Sequence, residues 1–194
     1  MGRYFGIAAV ITFAASAVFH VATFIPPAHA WVRFAWPLHL TVMVVCGAMI
    51  VSLIVQQRRT EAPATGFFDG LVAHHRAQKQ FTSRVVRLVP RAAQILCVAF
   101  FAYAFINFAL FMSLMDGSPG VKGGKYYLHS HGRKIRDLTR EEYLQYQAYS
   151  IRGASGHWMA FSVIPAVYFL SVHSRLQRLD SSDRESSKNA QSPV

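Results

Sequence analysis

Four runs without a charge constrain this chain more than any other feature. Tyr4 to Ile25 and Phe34 to Val55 each hold 22 residues with no Asp, Glu, Lys or Arg. Ala92 to Met115 holds 24, and residues 153–172 hold 20. About 20 apolar residues cross the hydrocarbon core of a bilayer as a helix. Lipid offers no partner to a backbone N–H or C=O, so such segments must be helices, whose hydrogen bonds are internal. The expectation is an all-α membrane protein built as a four-transmembrane-helix bundle, with spans at about 4–25, 33–55, 91–115 and 154–173. Between them lie an inner basic loop, 56–90, and an outer cap, 116–153. A polar tail, 175–194, is expected to be disordered in the cytoplasm. Composition agrees: 53% of residues are hydrophobic and 15% charged, against about a quarter charged in soluble domains.

The first run imitates a secretory signal, because "MGRY" precedes it and "PPAHAW" offers a small-x-small site ending at Ala30. Its 22 uncharged residues exceed the roughly 7–15 of a signal core, and it carries His20. It is read as a span. Two prolines then end the helix, with Trp31 and Trp36 as headgroup anchors.

Basic residues favour the cytoplasm. With both termini inside, twelve Lys and Arg fall on the inner side and eight on the outer. Arg58 and Arg59 follow the second span directly, and Arg84, Arg87 and Arg91 precede the third. This places the chain in a bacterial inner (plasma) membrane with the cap outside. The formal net charge of +11 sits in loops beside lipid-length segments. Its partners are therefore anionic headgroups at the inner loop rather than nucleic acid. Within that loop, Phe67, Phe68, Leu71, Val72, Phe81, Val85 and Leu88 recur at helical spacing between basic residues, as in an interfacial helix.

The cap opens on "DGSPGVKGGK", read as a flexible turn. "KYYLHSHGRKIRDL" reads as a small β-hairpin around His131 and Gly132. Thr139 and Glu142 match a capping box that starts an amphipathic helix. Its Tyr143, Tyr146 and Tyr149 suit the headgroup belt. "GASG" at 153–156 is expected to loosen the chain before the last span. On a strand, His129 and His131 would point the same way, which permits chelation.

Polar residues inside a membrane mark interhelical contacts or function. Thr12, Ser16, His20 and Thr23 form one helical stripe. His39, Met43 and Cys46 share a face, and Tyr103 and Asn107 lie one turn apart. At 1.5 Å per residue, His20 lies ~8 Å and His39 roughly 8–12 Å inside the outer boundary, with His157 only a few ångströms in. The candidate cluster is therefore His20, His39, His157, Asn107 and Tyr103, with His129, His131 and Arg152 above it. Neutral imidazoles could hold haem or copper, with His20, His39 and His157 as the metal candidates. The bland alternative is that each makes an interhelical hydrogen bond. No phosphate loop, HExxH or GxSxG is present, and no carboxylate lies inside a span. Cys46 and Cys97 form no CxxC pair.

"YYLHSHGRKIRDLTREEYLQYQAYSIRGASGHWMAF", with "FHVATFIPP" and "WPLHLTVMVVCG", resembles small bacterial four-helix integral membrane proteins of unknown function. The shared features are a His near the end of helix 1, an "LH" in helix 2, an "HG" hairpin followed by "EEY", and a "SGHW" entry into the last helix. The resemblance implies the four-span architecture and carries no catalytic residue. Three roles stay open. The first is a non-catalytic component that binds a partner protein or lipid through its outer cap. The second is a haem- or copper-binding redox protein. The third is a small-molecule carrier, which the lack of intramembrane carboxylates disfavours.

Overall fold

The computed structural model describes residues 2–60 and 67–191; for 60, 67–73 and 183–191 only the backbone is described. Helix α1 (Gly2–Ala22) leads through short turns at Pro26–Ala28, α2 (His29–Val32) and Arg33–Ala35 into α3 (Pro37–Thr60). Helices α4 (Phe67–Leu88) and α5 (Arg91–Leu114) follow. A sheet of β1 (Ser118–Lys122), β2 (Lys125–Ser130) and β3 (Arg133–Leu138) comes next. Helix α6 (Arg140–Val167), a π-helical segment at Tyr168–Val172 and α7 (His173–Gln191) complete the chain.

Four helices are long and apolar enough to cross a membrane: Gly2–Ala22, Pro37–Arg59, Arg91–Leu114 and the continuous helix Arg140–Ser182. Their surfaces fit that environment. Ile11, Val18, Leu40, Ile95, Val98 and Phe105 are all more than three-fifths exposed. Water would penalise so large an apolar surface, whereas lipid does not. The two ends of the bundle are called here the cap end, which carries the sheet, and the loop end, which carries α4.

Helix α6 is the axis. Its apolar stretch is 56% buried, against 28% for α1 and 11% for α3 and α5. Helices α1, α3 and α5 all pack on it. Small residues allow close approach: Ala148, Gly153, Ser155, Gly156, Ala160 and Ser162 are buried. The expected loosening at "GASG" does not occur. Residues 153–156 are helical, and the side chains that Gly153 and Gly156 lack leave room for Phe111 and Asn107 of α5. A Cβ at Gly153 would lie 2.7 Å from the Phe111 ring, and one at Gly156 would collide with the Asn107 amide.

Pro165 lies inside α6, where it lacks the N–H that would bond the carbonyl four residues back. That carbonyl belongs to Phe161, and the Cys46 thiol of α3 donates to it at 3.2 Å. The cysteine thus supplies a donor that the proline removes. The π segment follows within one turn.

The cap departs from expectation in one strand. It is a three-stranded antiparallel sheet in the order β1-β2-β3, and "SPGVK" is a strand rather than a flexible turn. Lys122 pairs with Lys125 across Gly123 and Gly124, whose φ angles are +59° and +75°. Only glycine adopts two such angles without strain, and this two-residue turn suits a hairpin. Leu128 and Leu138 are buried beneath the sheet, while the Tyr126 and Tyr143 rings, 4.7 Å apart, tie it to α6.

The capping box is formed. Glu142 N–H donates to Thr139 Oγ1 at 3.1 Å, and Thr139 N–H donates to Glu142 Oε2 at 2.8 Å. Arg136 also pairs with Glu142 at 2.7 Å. The Thr139 N–H, and then Arg136, hold the Glu142 carboxyl below its ordinary value of 4.5. A carboxylate whose folded value is lowered stabilises fully above its ordinary value, and loses that effect as pH falls through the folded one. Acidification from neutral pH through 4.5 and below should therefore fray the first turn of α6, read as lower amide protection at residues 141–143 relative to the intrinsic exchange rate at each pH. Thr139→Ala should cost about 1 kcal/mol and raise the same exchange at neutral pH.

The tail also differs from expectation: it is helical to Gln191. It extends an already packed helix and so needs no new nucleus. Leu176 is buried against the π segment, and Asp180 pairs with Arg84 of α4 at 3.6 Å. The expected helix in the basic loop is present as α4. Val85 and Leu88 pack on Tyr168, Phe169 and Val172. Of its other apolar positions, Phe67, Phe68, Leu71 and Val72 lie outside the described side chains, and residues 61–66 of the preceding loop lie outside the described residues.

Candidate functional site

The polar stripe of α1 is its buried face: Thr12, Ser16, His20 and Thr23 are all 5% exposed or less. Ser16 and Thr12 bond carbonyls one turn back on their own helix. His20 and Thr23 instead reach α5 and α6 and organise the cap end.

The donors can be assigned by elimination. Ser155 Oγ donates to Arg152 O at 3.2 Å, so it accepts from His20 Nδ1–H at 2.8 Å. The other ring nitrogen, Nε2, is then the acceptor for the Tyr103 hydroxyl of α5, in the neutral tautomer with its proton on Nδ1. Thr23 Oγ1 donates to His20 O at 2.6 Å and accepts from Arg152 Nε at 3.1 Å. Arg152 Nη2 donates to Thr23 O at 2.6 Å. The bonds form a ring that leaves α6 at Arg152, crosses α1 and returns to α6 at Ser155, with a branch to α5. Asn107 extends the branch. Its Nδ2 donates to Arg152 O at 2.8 Å and Gly153 O at 3.3 Å.

Arg152 is half-buried, its guanidinium 3.8 Å from the Phe24 ring centroid and 5.3 Å from that of Tyr149. Among the described residues no carboxylate pairs with it, and Nη1 has no hydrogen-bond partner. Beside it lies a cavity of about 140 Å³, lined by Tyr103, Asn107, Leu110, Phe111, Leu114 and Tyr149 among others.

The three histidines expected to approach one another do not. His20 faces α1–α5–α6. His39 Nδ1 accepts from Trp158 Nε1–H at 3.1 Å on the α3 side. His157 donates to Gly153 O at 2.9 Å within its own helix and meets the Phe108 ring edge-on. Helical period sets His157 apart: it points about 160° from Ser155 and 100° from Trp158 at 100° per residue, whereas Ser155 and Trp158, the partners of His20 and His39, lie only about 60° apart. Met43, expected on the same face as His39, is exposed as His39 is. His131 is no strand residue. It occupies the β2–β3 turn with φ +48°, so the alternation that would aim it alongside His129 does not apply. His129 lies beside Tyr127 in β2. Among the described residues, no three His, Cys, Asp or Glu side chains lie together as a metal site would require. His20, His39 and His157 therefore form no three-ligand centre among the described residues.

A second polar cluster, at the loop end, is absent from the sequence reading. Ser52 Oγ meets the Tyr168 hydroxyl at 2.8 Å and His173 Nδ1 at 3.2 Å. Gln56 Nε2 lies 3.2 Å from Tyr168 OH and 3.0 Å from His173 Nδ1. Ser52 and Gln56 are one turn apart, a legible signal. Tyr168 and His173 are five apart, which in an α-helix puts them about 140° away from each other. The wider π turn brings them onto one side.

Fold and site together define a helical bundle with four helices fit to cross a membrane, a capping sheet, and a buried polar ring joining α1, α5 and α6. Comparison with family models, curated proteins and solved structures returns no match for the chain.

Proposed function

We propose that the chain is a non-catalytic component of a bacterial inner membrane, with both termini in the cytoplasm, which recruits a partner protein through its cap. The observation that carries this reading is the continuity of α6. One helix runs from Arg140 in the cap to Val167 in the middle of the bundle, so the cap is a fixed platform rather than a loose loop. Its surface is charged and unsatisfied. Lys122, Lys125, Arg133 and Arg140 are exposed, and among the described residues none has a carboxylate partner. This suits a partner with an acidic face, steered by complementary potential. The polar groups at the cap end bond one another, as expected of a structural network. The basic residues flanking the loop ends of α3 and α5 support a cytoplasmic loop end.

The test reverses those four charges together (Lys→Glu and Arg→Glu) in the full chain. The substitutions sit on the surface, so the fold should survive. Cross-linking in native membranes should yield a stoichiometric partner for the wild type, and the variant should lose it. A partner retained at equal yield by the variant would refute the cap as the docking surface. Reporter fusions at residue 131 should show the cap outside, and a cytoplasmic signal there would refute the orientation.

A further inference from the structure

We propose that the cavity beside Arg152 is a binding site for a small amphipathic carboxylate of the medium-chain fatty-acid class. Three observations converge there. The first is the charge. Arg152 is half-buried among Phe24, Tyr149 and Thr23 without an acidic partner among the described residues. A cation held out of water without a counter-ion is costly, and an anionic ligand would supply one.

The second is the shape of the free donor set. Thr23 occupies Nε and one hydrogen of Nη2. The end of the guanidinium, one N–H from each Nη, remains. That fork matches the two oxygens of a carboxylate. It does not match a phosphate ester, because the other donors here are engaged: the Asn107 amide is on the Arg152 and Gly153 carbonyls, and the Tyr103 hydroxyl is on His20. One cation and one fork select a monoanion.

The third is the apolar seat. Asn107 is level with Arg152 through its bond to the Arg152 carbonyl. Leu110, Phe111 and Leu114 continue along α5 for about 10 Å towards the cap at 1.5 Å per residue. Leu110 and Leu114 are 57% and 44% exposed, although both line the cavity. The volume of about 140 Å³ is close to that of an apolar cavity that holds benzene. It therefore takes the first part of an alkyl chain and leaves the rest against α5. This site is separate from the four cap cations proposed to meet a protein, so either proposal can fail alone.

The experiment uses the full chain in nanodiscs of neutral lipid, with equilibrium dialysis of labelled octanoate near neutral pH and empty nanodiscs as background. One saturable octanoate per chain is expected. Octanamide has the same tail without the charge and should bind at least tenfold more weakly. Arg152→Gln should lower octanoate affinity at least tenfold. Leu110→Trp keeps Arg152 and fills the seat, and should also lose octanoate, which tests the site even if Arg152→Gln fails to fold. Absence of saturable binding above empty nanodiscs would overturn the proposal. So would equal affinity for octanamide, or a Leu110→Trp variant that binds octanoate like the wild type.

Discussion

Replacing Gly156 with leucine should destabilise the protein by about 3–5 kcal/mol and lower its thermal midpoint in detergent by roughly 10 °C. Two costs add. The position is buried in α6, and even a Cβ there collides with the Asn107 amide. Overpacking of this kind costs about 1–3 kcal/mol. Displacing Asn107 also removes its donors from the Arg152 and Gly153 carbonyls. Those carbonyls lie in the buried contact of α5 with α6 and, among the described residues, would keep only Ser155 and His157 as side-chain partners. Gly156→Ala should show a smaller loss of the same sign. Gly47 provides the control: a Cβ there meets nothing within 4 Å, so Gly47→Ala should be neutral or slightly stabilising, since alanine is the better helix former. A Gly156→Leu protein that melts with the wild type would show that α5 does not pack on α6 at this point.

His20→Ala should cost about 2 kcal/mol, read from the same melting curves. The imidazole ties α1 to both α5 and α6, through Tyr103 and Ser155. Its loss leaves the fully buried Ser155 hydroxyl without its imidazole donor and opens a hole. His20→Phe should fare little better, because it restores volume and supplies neither donor nor acceptor. His20→Gln, which can do both, should recover part of the loss. A double-mutant cycle with Ser155→Ala should give a positive coupling of about 0.6 kcal/mol, the average for interhelical hydrogen bonds in membranes, and at most about 1.7. His157→Phe should stay within about 0.5 kcal/mol of the wild type, because the His157 hydrogen bond is confined to its own helix. Equal losses at His20 and His157 would sink the ring as an organising element.

The histidines also show where sequence reasoning stops. Their depth along each helix is arithmetic, and it places His20, His39 and His157 towards the same end of the bundle. Their azimuth is not, because which side of α6 each neighbour occupies depends on the packing of three helices at once. The polar stripe of α1 was legible because one helix repeats every 3.6 residues. That Thr12 meets Thr41 of α3 while His20 and Thr23 reach α5 and α6 was not. "GASG" misleads for the same reason. Glycine weakens an isolated helix, yet here α5 occupies the space that the glycines leave. In the cap, Gly123 and Gly124 mark a turn by themselves, but the strand before them is visible only once β2 is there to pair with it.

The four apolar runs and the capping box at Thr139 follow from the residues alone, since the length of an uncharged run and the chemistry of a helix start are local properties. The centrality of α6, the Cys46 thiol facing the carbonyl that Pro165 leaves free, the meeting of Tyr168 and His173 with Ser52 and Gln56, and the cavity beside Arg152 belong to the tertiary structure. Each of these depends on atoms far apart in the chain meeting at hydrogen-bond or van der Waals distance. No period or composition encodes that distance.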